Sequence, residues 1–194
     1  MIARWAKGPP NPRWTGGWVW ARLQPIGMSS TCILQVEDDA NDVFLLQRAF
    51  REVAIINPVR VVTDGQMVID YLSGQGSFAN RVEFPMPGLI LLDLKLPHRS
   101  GREVLEWIRS QAAFRRILVI VFTSGQYAGD IGLAYDLGAN AFLLKPQDFS
   151  QYVGVARLLK DWLRYNLFAP IPESAWPASL PSVEASRVWG LNPS

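Results

Sequence analysis

The chain has 194 residues, a length that suits one ordinary domain with extensions and is short for two domains. Hydrophobic residues make up 49% of the chain and charged residues 19%, a globular composition with enough apolar material for a core. The net charge is only +2, and because residues 1–29 carry four basic residues and no acid, the remainder is slightly acidic. This distribution gives no electrostatic case for nucleic-acid binding.

The cysteine content and the length of the apolar runs indicate the cellular compartment of the protein. The single cysteine, Cys32, has no partner for an internal disulfide, which indicates a reducing compartment. The longest apolar run, at 117–122, is far shorter than the roughly 20 residues of a membrane-spanning helix. The first residues contain no continuous apolar stretch of the kind found in secretory signals. We therefore predict a cytoplasmic protein without a membrane partner.

The chain begins with a basic leader, residues 1–29, that is rich in Trp and Pro and has no helical or strand period. Two interpretations are open: a disordered segment, or upstream sequence translated from a misplaced start. Met28 heads the stretch "MSSTCILQVEDD" and would make a natural beginning for the domain, so we favour the second interpretation. The predicted domain spans residues 30–168.

Within this domain, apolar runs alternate with helical periods five times. The runs that predict strands are 32–36, 59–63, 88–92, 117–122 and 141–144. The segments that predict helices are 41–53, 66–72, 101–111, 131–138 and 149–167. Asn41 is the expected cap of the first helix, and Gly138 suits the end of the fourth. The alternation predicts an α/β fold whose parallel sheet is covered on both faces.

The remaining residues, 169–194, form a Pro-rich tail that reads as extended or disordered. Trp176 and Trp189 in this tail could dock on the domain or on a second copy of it. The tail is too short and too rich in proline for a DNA-binding fold, so we expect no second domain after residue 168.

Polar residues gather directly after four of the five predicted strands. They are Glu37, Asp38 and Asp39 after the first strand, Asp93 after the third, Thr123 and Ser124 at the end of the fourth, and Lys145 and Pro146 after the fifth. In an open α/β sheet, ligands bind outside the carboxyl ends of the strands, where the strand order reverses. The acids, the hydroxyls and the lysine are therefore expected to converge at one edge of the sheet.

Converging carboxylates repel one another unless a cation compensates them. Magnesium fits, since this hard ion takes a few oxygen ligands and keeps several waters. Lys145 adds a fixed positive charge, and the Thr123 hydroxyl can donate to a phosphoryl oxygen. Together these groups predict a site for phosphoryl transfer in which a carboxylate can serve as the acceptor nucleophile.

At this point the motifs "VEDD", "LLDLKLP", "TSG" and "LLKP" on successive strands resemble the receiver domain of two-component response regulators. The resemblance covers roughly residues 31–166. It implies a flavodoxin-like, doubly wound, five-stranded parallel sheet of strand order 2-1-3-4-5. It also implies a phosphoacceptor rather than an enzyme in the ordinary sense, with self-catalysed, Mg²⁺-dependent phosphotransfer and autodephosphorylation.

Carried over by position, the resemblance makes Asp93 the phosphoacceptor and a metal ligand. Glu37 and Asp38 become the acidic pair that holds Mg²⁺, with the backbone carbonyl of Lys95 as a further ligand. Glu37 stands where aspartate is commoner, a variant that leaves metal binding intact.

The same resemblance assigns a switch to the fourth and fifth strands. Thr123 is the switch hydroxyl, Lys145 the phosphoryl-contacting lysine and Phe142 the aromatic switch position. The peptide bond between Lys145 and Pro146 is expected to be cis.

A narrower resemblance, in "DGQMVIDYLSGQG", "SGREVLEWIR" and "LGANAFLLKP", is to small regulators that partner bacterial phytochrome-type sensor histidine kinases. The implied partner is such a kinase. The only histidine, His98, is expected in a solvated loop, so the phosphoryl donor must be another protein. The last helix carries more large apolar residues than one buried stripe needs, which makes a homodimer plausible.

Three departures from the family pattern carry further expectations. Gln35 places a polar side chain inside the first strand, where it must be satisfied. Gly125 lies two residues after Thr123, where a longer polar side chain could orient a hydrolytic water, and Lys95 lies two after Asp93. We hypothesise slow or unusual autodephosphorylation.

Two other classes of protein share parts of this pattern. A phosphatase or phosphotransferase of the aspartyl-phosphate kind carries a second acid two residues after its nucleophile, where this chain has Lys95. A pseudo-receiver that only binds partners is favoured by loss of the acceptor, metal pair or lysine, and all are present. A dinucleotide-binding protein is excluded because no Gly-rich turn follows the first strand.

Overall fold

The computed structural model describes residues 31–125 and 128–165. The leader (1–29), the tail (169–194) and Trp176 and Trp189 therefore lie outside the described residues. The strands are β1 (Cys32–Val36), β2 (Val59–Val62), β3 (Pro87–Leu92), β4 (Leu118–Thr123) and β5 (Ala141–Leu144). The α-helices are α1 (Ala40–Glu52), α2 (Gly65–Ser73), α3 (Gly101–Ser110), α4 (Ala128–Asp136) and α5 (Phe149–Tyr165). A short 3-10 helix spans Gly76–Phe78.

All five strands pair in parallel in the order β2-β1-β3-β4-β5, which confirms the predicted flavodoxin-like sheet. β1, β3 and β4 occupy the middle of this sheet and are almost entirely buried, as their continuous Val, Ile and Leu runs require. The strand order reverses between β1 and β3. The crevice for a ligand is therefore expected at the carboxyl ends of these two strands.

Two apolar layers cover the sheet. On one face Ile33, Leu89 and Ile120 pack with side chains of α1 and α5. On the other face the alternate strand residues pack with α2, α3 and α4. Each large apolar side chain in these layers contributes about 1.5–3 kcal/mol to the stability of the fold when it is buried. The two layers therefore hold the strands in one alignment, which fixes the positions of the strand ends.

Side chains cap α1 and α3, the helices that follow β1 and β3, and so determine the residue at which each helix begins. Asp39, and not the predicted Asn41, caps α1, because its carboxylate accepts the backbone N–H groups of Asn41 at 2.7 Å and Asp42 at 3.3 Å. Ser100 and Glu103 form a reciprocal capping box at the start of α3. Only residues 37–39 separate β1 from α1, so the acids after β1 lie between the strand and the helix cap, whereas residues 93–100 separate β3 from α3.

Two further expectations from the sequence are wrong. The peptide bond between Lys145 and Pro146 is trans, which is the lower-energy isomer of such a bond. The Lys145 N–H donates to the Thr123 carbonyl at 2.9 Å, so Lys145 continues the pairing of β5 with β4 up to this bond. Gln35 is 2% exposed, yet no group among the described residues donates to its side-chain oxygen, because apolar side chains surround this position of β1.

Within the part of the chain described, no helix combines the length and the apolar character that crossing a membrane requires.

Candidate functional site

The Lys145 ammonium stands at the centre of the polar edge of the sheet. Its Nζ atom lies 2.5 Å from Asp93 Oδ2, 2.5 Å from Glu37 Oε2 and 2.9 Å from Asp42 Oδ2. The lysine side chain is 6% exposed. Burial alone would lower the pKa of Lys145, but the hydrogen bonds to the three carboxylates outweigh it and raise the pKa above its usual value. The ammonium is therefore a fixed positive charge at neutral pH.

Asp93 follows β3 directly and is 4% exposed. Its backbone N–H donates to the Val36 carbonyl at 3.1 Å, which ties it to the end of β1. One carboxylate oxygen faces Lys145, and the other accepts the backbone N–H of Lys95 at 3.1 Å. The side chain of Lys95 itself is exposed. Asp93 is thus held by its backbone while its carboxylate points to the crevice.

Glu37, Asp38 and Asp93 form an acidic cluster, with one carboxylate oxygen of each residue within 4.8 Å of the others. Glu37 and Asp93 are buried, whereas Asp38 is exposed at the mouth of the site. Burial raises the pKa of Glu37 to about 7; the nearby Asp93 charge acts in the same direction, and Lys145 only partly offsets both. Carboxylate oxygens at this spacing fit a hard divalent cation that keeps part of its water shell.

Thr123 ends β4 beside this cluster and is 1% exposed. Its hydroxyl oxygen accepts the backbone N–H of Gly125 at 3.5 Å. A cavity of about 190 Å³ opens next to it, bordered among others by Lys95 and by the ion pair between Arg102 and Asp130. The cavity reaches Thr123 at the carboxyl end of β4, but its lining includes neither Asp93 nor Lys145.

Phe142 lies on β5, opposite Val121 of β4 and three residues before Lys145. Its ring is half-buried against the layer that contains α2, α3 and α4. The sequence therefore placed Phe142 on the correct strand, and its role as a switch stays a prediction.

Asp42 and Tyr152 are two polar residues of the site that sequence reasoning missed. Tyr152, on α5, donates its hydroxyl to Asp42 Oδ1 at 2.8 Å, across a separation of 110 residues. Burial and the hydrogen bond to Asp42 raise the pKa of Tyr152, so the phenol stays protonated. Asp42 is visible in the sequence as an acid four residues after Asp38. An acid in the first turn of a helix is common, however, so this position alone does not indicate a site. No local pattern marks the tyrosine.

A second cavity, of about 440 Å³, lies apart from this cluster between the start of α2 and the loop after β3. His98 borders it, is 76% exposed and has Nδ1 3.6 Å from Asp64 Oδ2. The prediction of a solvated loop histidine is confirmed.

A parallel sheet of this order, with two acids after β1, an aspartate after β3 and a lysine after β5, defines the receiver class of α/β domain. Comparison with known families agrees. The sequence model described as "Response regulator receiver domain" matches residues 33–157, and the chain belongs to this family.

Individual relatives place the chain more narrowly. It is 36% identical over 132 residues to the response regulator Rcp1 of Synechocystis sp., a match that covers 68% of this chain and 88% of Rcp1. The crystal structure of phosphorylated RcpA, a cyanobacterial phytochrome response regulator, superposes with a TM-score of 0.66 and 34% identity, covering 72% of this chain and 98% of RcpA. The Mn²⁺-bound structure of Rcp1 also gives a TM-score of 0.66, with 31% identity, covering 72% of this chain and 99% of Rcp1. The chain is a response regulator related to those of phytochromes.

Proposed function

We propose that this receiver accepts a phosphoryl group on Asp93 from a sensor histidine kinase and relays the signal through protein–protein contacts. The observation that carries the proposal is the ammonium of Lys145, 2.5 Å from both Asp93 and Glu37, beside three clustered carboxylates. Phosphoryl transfer depends on positioning and charge neutralisation, and this cluster offers an acceptor oxygen with a fixed cation next to it.

In the proposed reaction, a carboxylate oxygen of Asp93 attacks the phosphorus of a phosphohistidine. The P–N bond breaks, and the imidazole leaves with a proton taken up on its nitrogen. Lys145 balances the charge on the phosphoryl oxygens. The Thr123 hydroxyl, at the end of β4, would turn toward the new phosphoryl group and move the start of α4 with it.

Glu37, Asp38 and Asp93, with the backbone carbonyl of Lys95, would hold Mg²⁺, which supplies charge neutralisation for the transferred group. The donor set consists of oxygen atoms, which suits this ion. The related Rcp1 has been crystallised with Mn²⁺, another divalent cation that carboxylates bind.

The donor must come from another protein. The chain contains one histidine, and His98 lies exposed on a loop rather than on a helix. Relatives named as phytochrome response regulators support a phytochrome-type kinase as the partner. Incubating the protein with ³²P-labelled kinases, one of them phytochrome-type, would test this choice by the rate of label transfer.

A homodimer is a further part of the proposal. Leu158 and Tyr165 on α5 are 57% and 76% exposed, and Leu144 on β5 is 43% exposed. Apolar exposure of this extent supports a protein partner. Light scattering with and without phosphorylation tests the dimer; a monomer under both conditions contradicts it.

The decisive experiment is incubation with acetyl phosphate, with and without Mg²⁺, followed by intact mass measurement. We expect a Mg²⁺-dependent gain of one phosphoryl group that is absent in Asp93→Asn. No gain in the wild-type protein would contradict the proposed phosphorylation and favour a receiver that only binds partners.

A further inference from the structure

The Lys145 ammonium contacts three carboxylates, those of Glu37, Asp42 and Asp93. In the proposed function, two of these carboxylates have another task and only one does not. Glu37 and Asp93 are proposed to bind the metal ion, and Asp93 is also proposed to accept the phosphoryl group. Asp42, 2.9 Å from Nζ, belongs to neither task. It is therefore the partner that can stay with the lysine throughout the reaction.

The position of Asp42 is itself well defined. It lies in the first turn of α1, and its side chain is 26% exposed. One of its oxygens contacts Lys145, and the other accepts the Tyr152 hydroxyl at 2.8 Å. With both oxygens engaged, the carboxylate has one preferred orientation.

Tyr152 is rigid for a different reason. It is 1% exposed and lies in the apolar layer between α1, α5 and the sheet. Its ring packs edge-on against Phe122 of β4, with 6.1 Å between ring centroids and an angle of 86°. A ring packed in this way holds its hydroxyl at one place, so the orientation of Asp42 is set by the core and not by solvent.

We propose that Asp42 and Tyr152 are positioning residues for the phosphoryl-contacting lysine: Asp42 anchors the Lys145 ammonium beside Asp93, and Tyr152 fixes Asp42. The inference rests on the proposed function. The anchor matters because a lysine has four rotatable side-chain bonds and loses rotational freedom when it binds a phosphoryl oxygen. An ammonium already held in place has lost that freedom beforehand.

The test measures binding of beryllofluoride, a phosphoryl mimic, by calorimetry of the full chain in the presence of Mg²⁺. We expect Asp42→Asn to weaken binding about tenfold, since a charge-assisted hydrogen bond is lost. Tyr152→Phe should weaken it by a few fold. Because Tyr152 acts through Asp42, Tyr152→Phe should add nothing further in an Asp42→Ala background.

Matched controls separate positioning from stability. Asp70→Asn removes a carboxylate on α2 that accepts a hydrogen bond from Gln66, and Tyr71→Phe removes a buried hydroxyl that donates to the Pro85 carbonyl. Neither side chain contacts Lys145 in the described structure, and both variants should bind beryllofluoride as the wild type does. If Asp42→Asn and Tyr152→Phe lower the melting temperature but leave this affinity unchanged, the inference is overturned.

A second readout needs no phosphoryl mimic. The Lys145 ammonium should give a slowly exchanging signal in ¹⁵N NMR, assigned by its loss in Lys145→Met, and Asp42→Asn should speed its exchange with water. Failure of the wild-type protein to bind beryllofluoride would contradict the proposed function. Normal binding by the wild type together with unchanged binding in Asp42→Asn would contradict the anchor alone, whatever the exchange rate of the ammonium.

Discussion

Gly101 and Asp93 are in backbone contact: a β-carbon placed on Gly101 would lie 2.0 Å from the Asp93 carbonyl oxygen. The backbone N–H of Gly101 also donates to the Leu94 carbonyl at 3.0 Å. The first turn of α3 therefore rests directly on the loop that carries Asp93, the proposed phosphoacceptor. Only glycine permits this approach, because the opposing atoms are backbone and have little freedom to move.

We expect Gly101→Ala to lower the free energy of unfolding by about 1–3 kcal/mol, the usual cost of forcing extra atoms into a packed site. The displaced loop should also slow phosphorylation by acetyl phosphate. Urea unfolding and intact mass give the two readouts. The control is Gly154→Ala on α5, where a β-carbon meets nothing within 4 Å and should stabilise the protein by about 0.5–1 kcal/mol. Equal stability of Gly101→Ala and wild type would contradict the backbone contact.

The buried Glu37 makes stability depend on pH in a defined direction. Burial raises the pKa of Glu37 from its ordinary value of 4.5 to about 7 in the folded protein. Between pH 4.5 and pH 7, the folded protein therefore keeps a proton on Glu37 that the unfolded chain has already released. The contribution of Glu37 to stability is fully present below pH 4.5 and is lost as the pH rises through about 7.

We therefore expect stability, measured in EDTA by urea unfolding from about pH 4.5 to 8, to fall with rising pH more steeply in the wild type than in Glu37→Gln. The difference between the two slopes should accumulate to about 1–3 kcal/mol. Parallel curves for the two proteins would show that Glu37 does not titrate in this range.

The sequence predicted the parts of the site that follow from strand order. Asp93 and Lys145 each come directly after an apolar run, and parallel strands bring such residues to one edge. Asp42 and Tyr152 join the site through the packing of α1 against α5, which no local pattern encodes. The trans bond after Lys145 and the unpaired oxygen of Gln35 likewise depend on the surroundings supplied by the whole fold.

The lifetime of the phosphorylated state should depend on Gly125. Gly125 has no side chain with which to orient a water toward Asp93, the proposed acceptor. A β-carbon here would lie 3.7 Å from Asp130 Oδ2 and 4.0 Å from the Thr123 hydroxyl oxygen, so a side chain can begin here without a backbone clash. We expect Gly125→Gln to shorten the phosphoaspartate half-life several-fold, through general-base-type positioning of water.

Loss of ³²P from the purified phosphoprotein measures that half-life. Gly129→Gln is the control, because it adds the same side chain on α4, at a position where a β-carbon meets nothing within 4 Å. A wild-type half-life of seconds or less would contradict the hypothesis of slow autodephosphorylation, whatever the variants do.

Gln35 offers a route to a more stable protein, because its side-chain oxygen is buried without a donor among the described residues. The residue pairs with Val61 and Leu91 in the neighbouring strands, and its strand face carries the apolar layer of α1 and α5. An amide carbonyl that has left water without a partner costs about 1–3 kcal/mol. Replacing the amide with an apolar group of similar volume removes this cost.

We expect Gln35→Leu to raise the free energy of unfolding by about 1–2 kcal/mol. Gln35→Ala provides the matched comparison: it also removes the amide but leaves a cavity, so it should be less stable than Gln35→Leu by about 2–5 kcal/mol. Urea unfolding at fixed pH measures both. If Gln35→Leu is less stable than the wild type, a water molecule satisfies the amide in solution, and β1 depends on its polar residue rather than tolerating it.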